Sequence, residues 1–250
     1  MNILSVTGLV KRFGGLLATD HLDLDVEAGQ VHAVIGPNGA GKTTLMNQLS
    51  GDITPTEGRI LFEGKDITGQ RPYQRALSGI ARSFQISSVF NDFSVLENTL
   101  MAVQARSRHS FRFWTPVLQD RQLVEPARQA VERAGLGREM HTPVGQLAHG
   151  ARRQLEIAMA LAMQPKLLLL DEPMAGMSQQ ESQELVSLLR SLKGEYSILL
   201  VEHDMDAVFA LADRITVVVY GRPVACGTPD EIRGNDEVKA AYLGDQEETV

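Results

Sequence analysis

The chain has 250 residues, 43% of them hydrophobic, which is enough to bury the core of one large α/β domain. Its formal net charge of −7 gives no basic surface for phosphate backbones, so we expect no nucleic-acid partner. The single cysteine, Cys226, excludes an intrachain disulfide and a multi-cysteine metal site, and we expect it to be a small buried apolar residue.

Hydrophobic runs in this chain are short. None approaches the roughly 18 to 20 residues that span a bilayer. Lys11 and Arg12 follow the first apolar residues instead of preceding them, which is unlike a secretory leader. We therefore expect a cytosolic chain that is not exported.

The first part of the chain predicts sheet followed by a phosphate-binding element. Apolar residues alternate or cluster at strand period in residues 3–10, 22–26 and 30–35. Residues 42–50 have helical period and begin inside a glycine-rich loop, and residues 58–62 return to a short strand. Strand, loop and helix thus follow in the order of a phosphate site.

The middle of the chain, residues 86–161, has a different pattern. It is charged and mostly helical in period, and Pro116, Pro126 and Pro143 are expected to interrupt its helices. We assign it to a helical lobe.

Beyond this lobe, strands and helices alternate, which predicts a parallel sheet. The predicted strands are 166–171 and 197–202, and the predicted helices are 178–192 and 205–212. Ser178 and Glu181 fit a capping box at the start of the helix.

A P-loop pattern follows the third predicted strand and is formed by Gly36, Pro37, Asn38, Gly39, Ala40, Gly41, Lys42 and Thr43. Glycines let successive amides point inward, the helix start adds partial positive charge, and Lys42 is expected to reach the outer phosphates of ATP. Thr43 is expected to bind magnesium, and Thr44 belongs to the same ATP-binding set. The alternative, a glycine-rich turn with a chance lysine, leaves the flanking strand and helix unexplained.

Two acids end the strand at 166–171, at the edge where α/β sheets bind ligands. Asp171 is expected to hold magnesium, directly or through water. Glu172 is expected to orient and deprotonate the attacking water, a role that contributes about 10² to 10⁴ in rate. The alternative is a pair of solvated acids at a strand end.

Further segments accompany the P-loop in a fixed order: Lys-Arg-Phe-Gly-Gly around Phe13, Arg-Ser-Phe-Gln ending at Gln85, Leu-Ala-His-Gly-Ala at 147–151 and Leu-Val-Glu-His-Asp-Met around His203. With this order, the chain resembles the ABC ATPases across essentially its whole length. The resemblance implies an α/β P-loop NTPase fold of the RecA-like type, with a parallel core sheet, an antiparallel β edge and an inserted α-helical lobe. It also implies a single domain over 1–250, with a nucleotide-binding core at 1–85 and 162–250.

The resemblance assigns roles to three of these residues. Phe13 is expected to stack on adenine, although it could instead be a core aromatic near a strand end. Gln85 is expected to contact magnesium and the attacking water and to link the site to the lobe. His203 is expected to contact the γ-phosphate, although a histidine at a strand end is more often structural. With Lys42 and Glu172, Gln85 and His203 form the expected catalytic set.

In this family, the signature loop contacts ATP held by the opposite subunit of a head-to-tail dimer. Here that loop includes Ala148, His149 and Gly150, and Ala148 replaces the usual serine while Ala151 replaces the usual glutamine. Two interpretations follow: an asymmetric heterodimer with one slow site, or two working sites in which backbone amides suffice. Ser178 could hydrogen-bond across the dimer, but its capping role already explains it.

Closer similarity is to the ATPases of branched-chain amino acid importers, through residues 13–16, 82–85, 202–205 and 241–244. This implies ATP and Mg²⁺ as cofactors and a peripheral position on the cytoplasmic face of the bacterial inner membrane. The implied partners are polytopic permease subunits, a second ABC ATPase in a heterodimer or a homodimer, and indirectly a periplasmic solute-binding protein. Alternatives are a urea or short-amide importer, a lipopolysaccharide-export ATPase, or a regulatory ABC ATPase outside transport.

The resemblance also implies a membrane-subunit surface near Gln85. Residues 87–93 are the expected docking edge for a coupling helix of that subunit. The run at 109–114, which is basic and aromatic, is expected to pack within the lobe or to meet the membrane subunit or lipid headgroups.

Overall fold

The computed structural model describes residues 1–83, 89–107 and 117–238. Its strands are β1 (Asn2–Phe13), β2 (Leu16–Glu27), β3 (Val31–Ile35), β4 (Glu57–Phe62), β5 (Lys65–Asp66), β6 (Ile80–Arg82), β7 (Leu167–Asp171), β8 (Ser197–Val201), β9 (Arg214–Val219) and β10 (Arg222–Gly227). Its helices are α1 (Lys42–Ser50), α2 (Pro72–Ser78), α3 (Val95–Ser107), α4 (Arg121–Arg133), α5 (His149–Ala162), α6 (Gln179–Leu192), α7 (Met205–Leu211) and α8 (Pro229–Gly234). Among these helices, none has the length and apolar content of a membrane span.

The strands form two sheets. The six-stranded sheet has the order β10-β9-β3-β8-β7-β6, in which β10 is antiparallel to β9 and the remaining pairs are parallel. The four-stranded sheet, β2-β1-β4-β5, is antiparallel throughout. The expected α/β fold with a parallel core sheet is confirmed. The antiparallel part is a separate sheet, with β10 as the only antiparallel strand joined to the parallel one among the described residues.

Helix α1 lies in the core between these sheets. Its buried Leu45, Met46 and Leu49 pack in one apolar cluster with residues of β1, β2 and β4 on one side and of β3, β7 and β8 on the other. The strands β3, β7 and β8 are buried on both faces, as helix-covered parallel strands require. The loop before α1 therefore starts between the two sheets, and its middle residues, Asn38 and Gly39, are exposed.

Helices α3, α4 and α5 pack against one another and form the helical region expected in the middle of the chain. The expectation that Pro126 interrupts a helix there is wrong, because Pro126 lies inside α4. Leu123, Ala127, Ala130 and Val131 of α4 are buried, and their packing offsets the missing backbone hydrogen bond. Pro143 lies between α4 and α5, where it separates helices as expected and precedes a short 3₁₀ turn, and Pro116 lies outside the described residues.

Cys226 is exposed, so the expectation of a buried thiol is also wrong. It lies on β10, which is an edge strand of the six-stranded sheet and in which only Gly227 is buried. Its Sγ accepts hydrogen bonds from Arg214 Nη2 and Thr216 Oγ1, both at 3.4 Å.

Candidate active site

The P-loop at residues 36–43 connects β3 to α1 and is held in shape by two backbone carbonyls. A Cβ at Gly36 would overlap the carbonyl oxygen of Val218, and a Cβ at Gly41 would overlap that of Ala18. Gly41 also has a φ of 99°, which favours glycine. These two glycines are therefore required by close backbone packing against β9 and β2.

Lys42 opens α1, and its side chain turns back over the loop. Its Nζ donates to the carbonyl oxygens of Gly36 at 2.6 Å and Pro37 at 2.8 Å. The hydroxyl-bearing residue Thr43 is exposed beside it, and Thr44 is partly buried. An ammonium at the mouth of a loop that opens a helix is the arrangement that binds nucleotide phosphates.

Asp171 ends β7 and is almost fully buried. Its Oδ2 accepts a hydrogen bond from Arg82 Nη2 at 2.9 Å, and its Oδ1 has no partner among the described residues. Burial raises the pKa of Asp171, although the Arg82 guanidinium opposes that rise. An unpaired carboxylate oxygen beside the P-loop fits a magnesium ion or its bound water, with Thr43 as the second candidate ligand.

The same guanidinium reaches α1. Arg82 Nη1 donates to Asn47 Oδ1 at 2.6 Å and to Ser50 Oγ at 3.0 Å. Arg82 therefore joins the α1 helix to the acidic end of β7. The sequence carries a signal for Arg82, since it begins the Arg-Ser-Phe-Gln segment, but the role predicted there belongs to Gln85.

Glu172 follows Asp171 in a left-handed backbone conformation, with a φ of 49°. Its amide donates to the carbonyl oxygen of Val201 at 2.9 Å, and its Oε1 lies 2.7 Å from Nε2 of His203. His203 follows β8, the strand that pairs with β7. The structure therefore brings the expected base and the expected γ-phosphate contact into one hydrogen bond.

Glu202 has no role predicted from the sequence, although it precedes His203 in the same motif. It is 4% exposed, and burial raises its pKa. Its carboxylate accepts hydrogen bonds from the amides of Met174, in the loop after β7, and of His203, in the loop after β8.

Phe13 is the last residue of β1 and is 46% exposed. Lys11 Nζ lies 5.1 Å from the centroid of its ring, and Phe13 pairs with Leu16 in the hairpin that leads towards Ala18 and the P-loop. An exposed aromatic at this edge is available for base stacking. Gln85 lies outside the described residues.

The signature loop lies at the start of α5, on the helical region and next to the start of α6. Ala148 is the N-cap and makes no side-chain cap hydrogen bond, and His149 is exposed. The amide of Gly150 donates to Glu181 Oε1 at 2.9 Å. Glu181 also accepts from the amide and hydroxyl of Ser178, which confirms the expected capping box.

The remaining expected positions lie partly outside the described residues. Of the expected docking edge, only residues 89–93 are described, and Phe90 and Phe93 stack there with centroids 5.3 Å apart. The run at 109–114 and the segment at 241–244 lie outside that part of the chain.

Comparison with known proteins shows that this chain is similar to ATP-binding proteins of transporters. Residues 19–175 match the family described as ABC transporter, and residues 222–248 match the family described as branched-chain amino acid ATP-binding cassette transporter. The chain is 41% identical to the high-affinity branched-chain amino acid transport ATP-binding protein BraF of Pseudomonas aeruginosa, over 97% of this chain and 98% of that protein. It is equally similar, with the same coverage, to LivG of Escherichia coli, which has the same description.

Solved structures agree with the sequence comparison. The ADP conformation of an ATP-binding cassette of an ABC transporter superposes with a TM-score of 0.87 at 31% identity, over 98% of this chain and 99% of that one. A nucleotide-free cassette superposes with a TM-score of 0.86 at 29% identity, over 97% of this chain and 99% of that one.

Proposed function

Because this chain belongs to the ABC transporter family as an ATP-binding subunit, we propose that it hydrolyses ATP to power import of branched-chain amino acids. The observation that carries the proposal is the convergence of Lys42, Asp171, Glu172 and His203 at the carboxyl ends of β3, β7 and β8. The branched-chain solute class rests on the C-terminal family match and on the relatives BraF and LivG.

Different residues of the site have different roles in ATP binding and hydrolysis. In the proposed mechanism, Gly36, Pro37, Asn38, Gly39, Ala40, Gly41 and Thr44 hold the phosphates with Lys42, and Phe13 stacks on adenine. Glu172 takes a proton from the attacking water, and His203 donates to the γ-phosphate. Thr43, Asp171 and Gln85 would hold Mg²⁺, which supplies charge neutralisation at the β- and γ-phosphates when bound.

The permease is proposed to dock in a groove between the core and the helical region. The groove has a volume of about 390 Å³ and lies between α2, β6, α3 and α5. Its apolar wall includes Tyr73, which is 60% exposed, together with Ala76, Ala102, Met159 and Met163. An apolar groove of this size can receive side chains from the apolar face of a short amphipathic helix, and we assign it to a coupling helix of the membrane subunit. The chain would then sit peripherally on the cytoplasmic face of the inner membrane.

A second ATPase completes each ATP site in this proposal. Ala148 lacks the hydroxyl that a serine would offer to the partner's ATP, so we favour a heterodimer in which one site is slower. Replacing Ala148 by serine should then raise hydrolysis at the site that uses this loop in a reconstituted pair. No change would favour the alternative in which the backbone amides suffice, in a heterodimer or a homodimer.

The function is tested by isolating the Glu172→Gln protein with ATP and magnesium from its native membranes and identifying copurifying subunits by mass spectrometry. We expect two polytopic permeases and a second ABC ATPase. Labelled leucine uptake in cells that depend on this chain gives the solute class, with urea, short amides and unlabelled leucine as competitors. If only a short amide competed for uptake, that amide would replace branched-chain amino acids as the proposed solute. Copurification of soluble partners alone would overturn the transport role.

The docking groove has its own test. Tyr73→Glu should reduce permease copurification while ATP binding is unchanged, because Tyr73 is exposed and the groove that it lines includes no P-loop residue. Leu118→Glu is the matched control, since Leu118 is 56% exposed and lies outside the residues that line the groove. Equal recovery of the permease with both variants would remove the groove as its docking site.

A further inference from the structure

A buried carboxylate lies behind the pair formed by Glu172 and His203. Glu202 is 4% exposed and follows the last residue of β8. A charge in such a position is costly unless it is hydrogen-bonded on each oxygen. The contacts that satisfy Glu202 are main-chain amides, and they come from two different loops.

One oxygen holds the loop that follows Glu172, and the other holds the loop that carries His203. Oε1 of Glu202 accepts the amide of Met174 at 2.8 Å, and Oε2 accepts the amide of His203 at 2.9 Å. Hydrogen bonds to a carboxylate are stronger than those to a neutral group. Glu202 therefore ties the two loops together through one rigid carboxyl group.

The loop after Asp171 needs such support, because Glu172 has the left-handed φ of 49° that non-glycine residues rarely adopt. Residues in this conformation persist when their surroundings hold them there, and they concentrate at functional sites. The Glu172 amide is held by Val201, and the amide of Met174, two residues on, is held by Glu202. Without the second bond, the Glu172 side chain would be free to leave its place beside His203.

We propose that Glu202 is a positioning residue that holds Glu172 and His203 in register by binding the backbone of both loops. Glu202 does not contact ATP in this scheme, and its effect reaches the reaction only through those two side chains. The inference rests on the proposed ATPase function and adds a residue to it.

The chemistry of the side chain explains why a carboxylate suits this place. Both oxygens accept hydrogen bonds, which is what two converging amides require. A glutamine has one acceptor and one donor, so its NH₂ group would face an amide N–H in one of the two loops. Glu202→Gln therefore removes one of the two hydrogen bonds with almost no change in side-chain volume.

The test compares steady-state ATP hydrolysis by the assembled transporter with wild-type, Glu202→Gln and Glu202→Asp chains. We expect kcat to fall about 10-fold in Glu202→Gln with KM for ATP nearly unchanged, because a displacement of about 1 Å at a catalytic group costs up to about 10²-fold. Glu202→Asp keeps two acceptors but is shorter by one methylene, so we expect an intermediate loss. This second variant preserves the test if the glutamine variant does not fold.

A double-mutant cycle separates positioning from general structural support. If Glu202 acts through the pair, Glu202→Gln should lower kcat by less than about 3-fold in a His203→Ala background. The same fold loss in both backgrounds, or a change in KM alone, would overturn the proposal. An inactive wild-type transporter would instead count against the proposed function, so the two failures are distinguishable.

Discussion

Nε2 of His203 and Oε1 of Glu172 are 2.7 Å apart, so these side chains share a hydrogen bond although 31 positions separate them in sequence. They meet because β7 and β8 are adjacent parallel strands and each residue follows the end of its strand. A γ-phosphate that accepts a hydrogen bond from Nε2 therefore competes with Glu172 for that donor.

His203→Ala should lower the rate of ATP hydrolysis by about 10², because it removes both a phosphate contact and the partner that orients Glu172. ATP binding should change little, since the P-loop and Lys42 are intact. Phosphate release and nucleotide affinity are measured on His203→Ala, Glu172→Gln and the double variant. The double variant should be little worse than Glu172→Gln, and multiplied losses would show that the two side chains act independently.

His32 predicts a loss of stability in acid. It is fully buried on β3, its Nε2 lies 2.8 Å from Thr216 Oγ1, and burial lowers its pKa from 6.5 to about 4. Because the unfolded chain binds the proton more readily, this contribution to stability is complete above pH 6.5 and is lost as the pH falls towards 4. Each pKa unit corresponds to about 1.4 kcal/mol, so the loss is at most about 3 kcal/mol.

Urea unfolding of wild type and His32→Gln at pH 7.5, 6 and 5 measures the contribution of His32 to the free energy of unfolding. Glutamine is neutral throughout, so the difference between the two proteins isolates His32 from the other titrating groups. The wild type should lose more free energy of unfolding on acidification than the variant does. Parallel pH profiles would contradict the assignment.

Glu181 places a negative charge beside the Gly150 amide of the signature loop. A Cβ at Gly150 would lie 2.8 Å from Glu181 Oε1, so the carboxylate also occupies the space next to the glycine. We expect Glu181→Gln to strengthen ATP-dependent association with the second ATPase about 3- to 10-fold, because like-charge repulsion of the partner's ATP is removed.

Sedimentation at graded ATP concentrations measures this association. Glu184→Gln is the matched control, since it removes the same charge from an exposed position one turn further along α6. An equal gain from both variants would assign the effect to net charge and not to the contact with Gly150.

Pro126 inside α4 predicts a stabilising substitution. Pro126→Ala supplies a backbone N–H that can bond to the carbonyl oxygen of Gln122, and we expect a gain of about 1 to 3 kcal/mol in the free energy of unfolding. Pro229→Ala is the control, because Pro229 opens α8, where the N–H would have no partner within the helix. A smaller gain at residue 126 than at 229 would contradict this account.

The parallel part of the fold is predictable from sequence because its strands are short apolar runs. The four leucines at 167–170 and the run at 197–201 are buried throughout, as predicted. The separate antiparallel sheet is not predictable in this way, since the pairing of β1 with β4 joins Leu4 to Phe62 across more than 50 residues. Local patterns give the strands but not their partners.

The residues of the candidate site also differ in whether local sequence patterns predict them. Lys42, Asp171 and Glu172 belong to local motifs, and their neighbours in sequence indicate their chemistry. Arg82 and Glu202 act on atoms that are remote in sequence, such as Asp171 Oδ2 and the Met174 amide. Cys226 differs again, because it lies on a strand in which only Gly227 is buried, and the edge position of that strand depends on the order of the whole sheet.

The two carbonyls that confine Gly36 and Gly41 have a consequence for nucleotide affinity. Since Val218 and Ala18 impose the curl of the P-loop, its ordering is completed when the chain folds, and ATP meets a preorganised receptor. Folding and ligand affinity are thereby thermodynamically coupled. A substitution that loosens β9 or β2 should raise the Kd for ATP without removing a single phosphate contact.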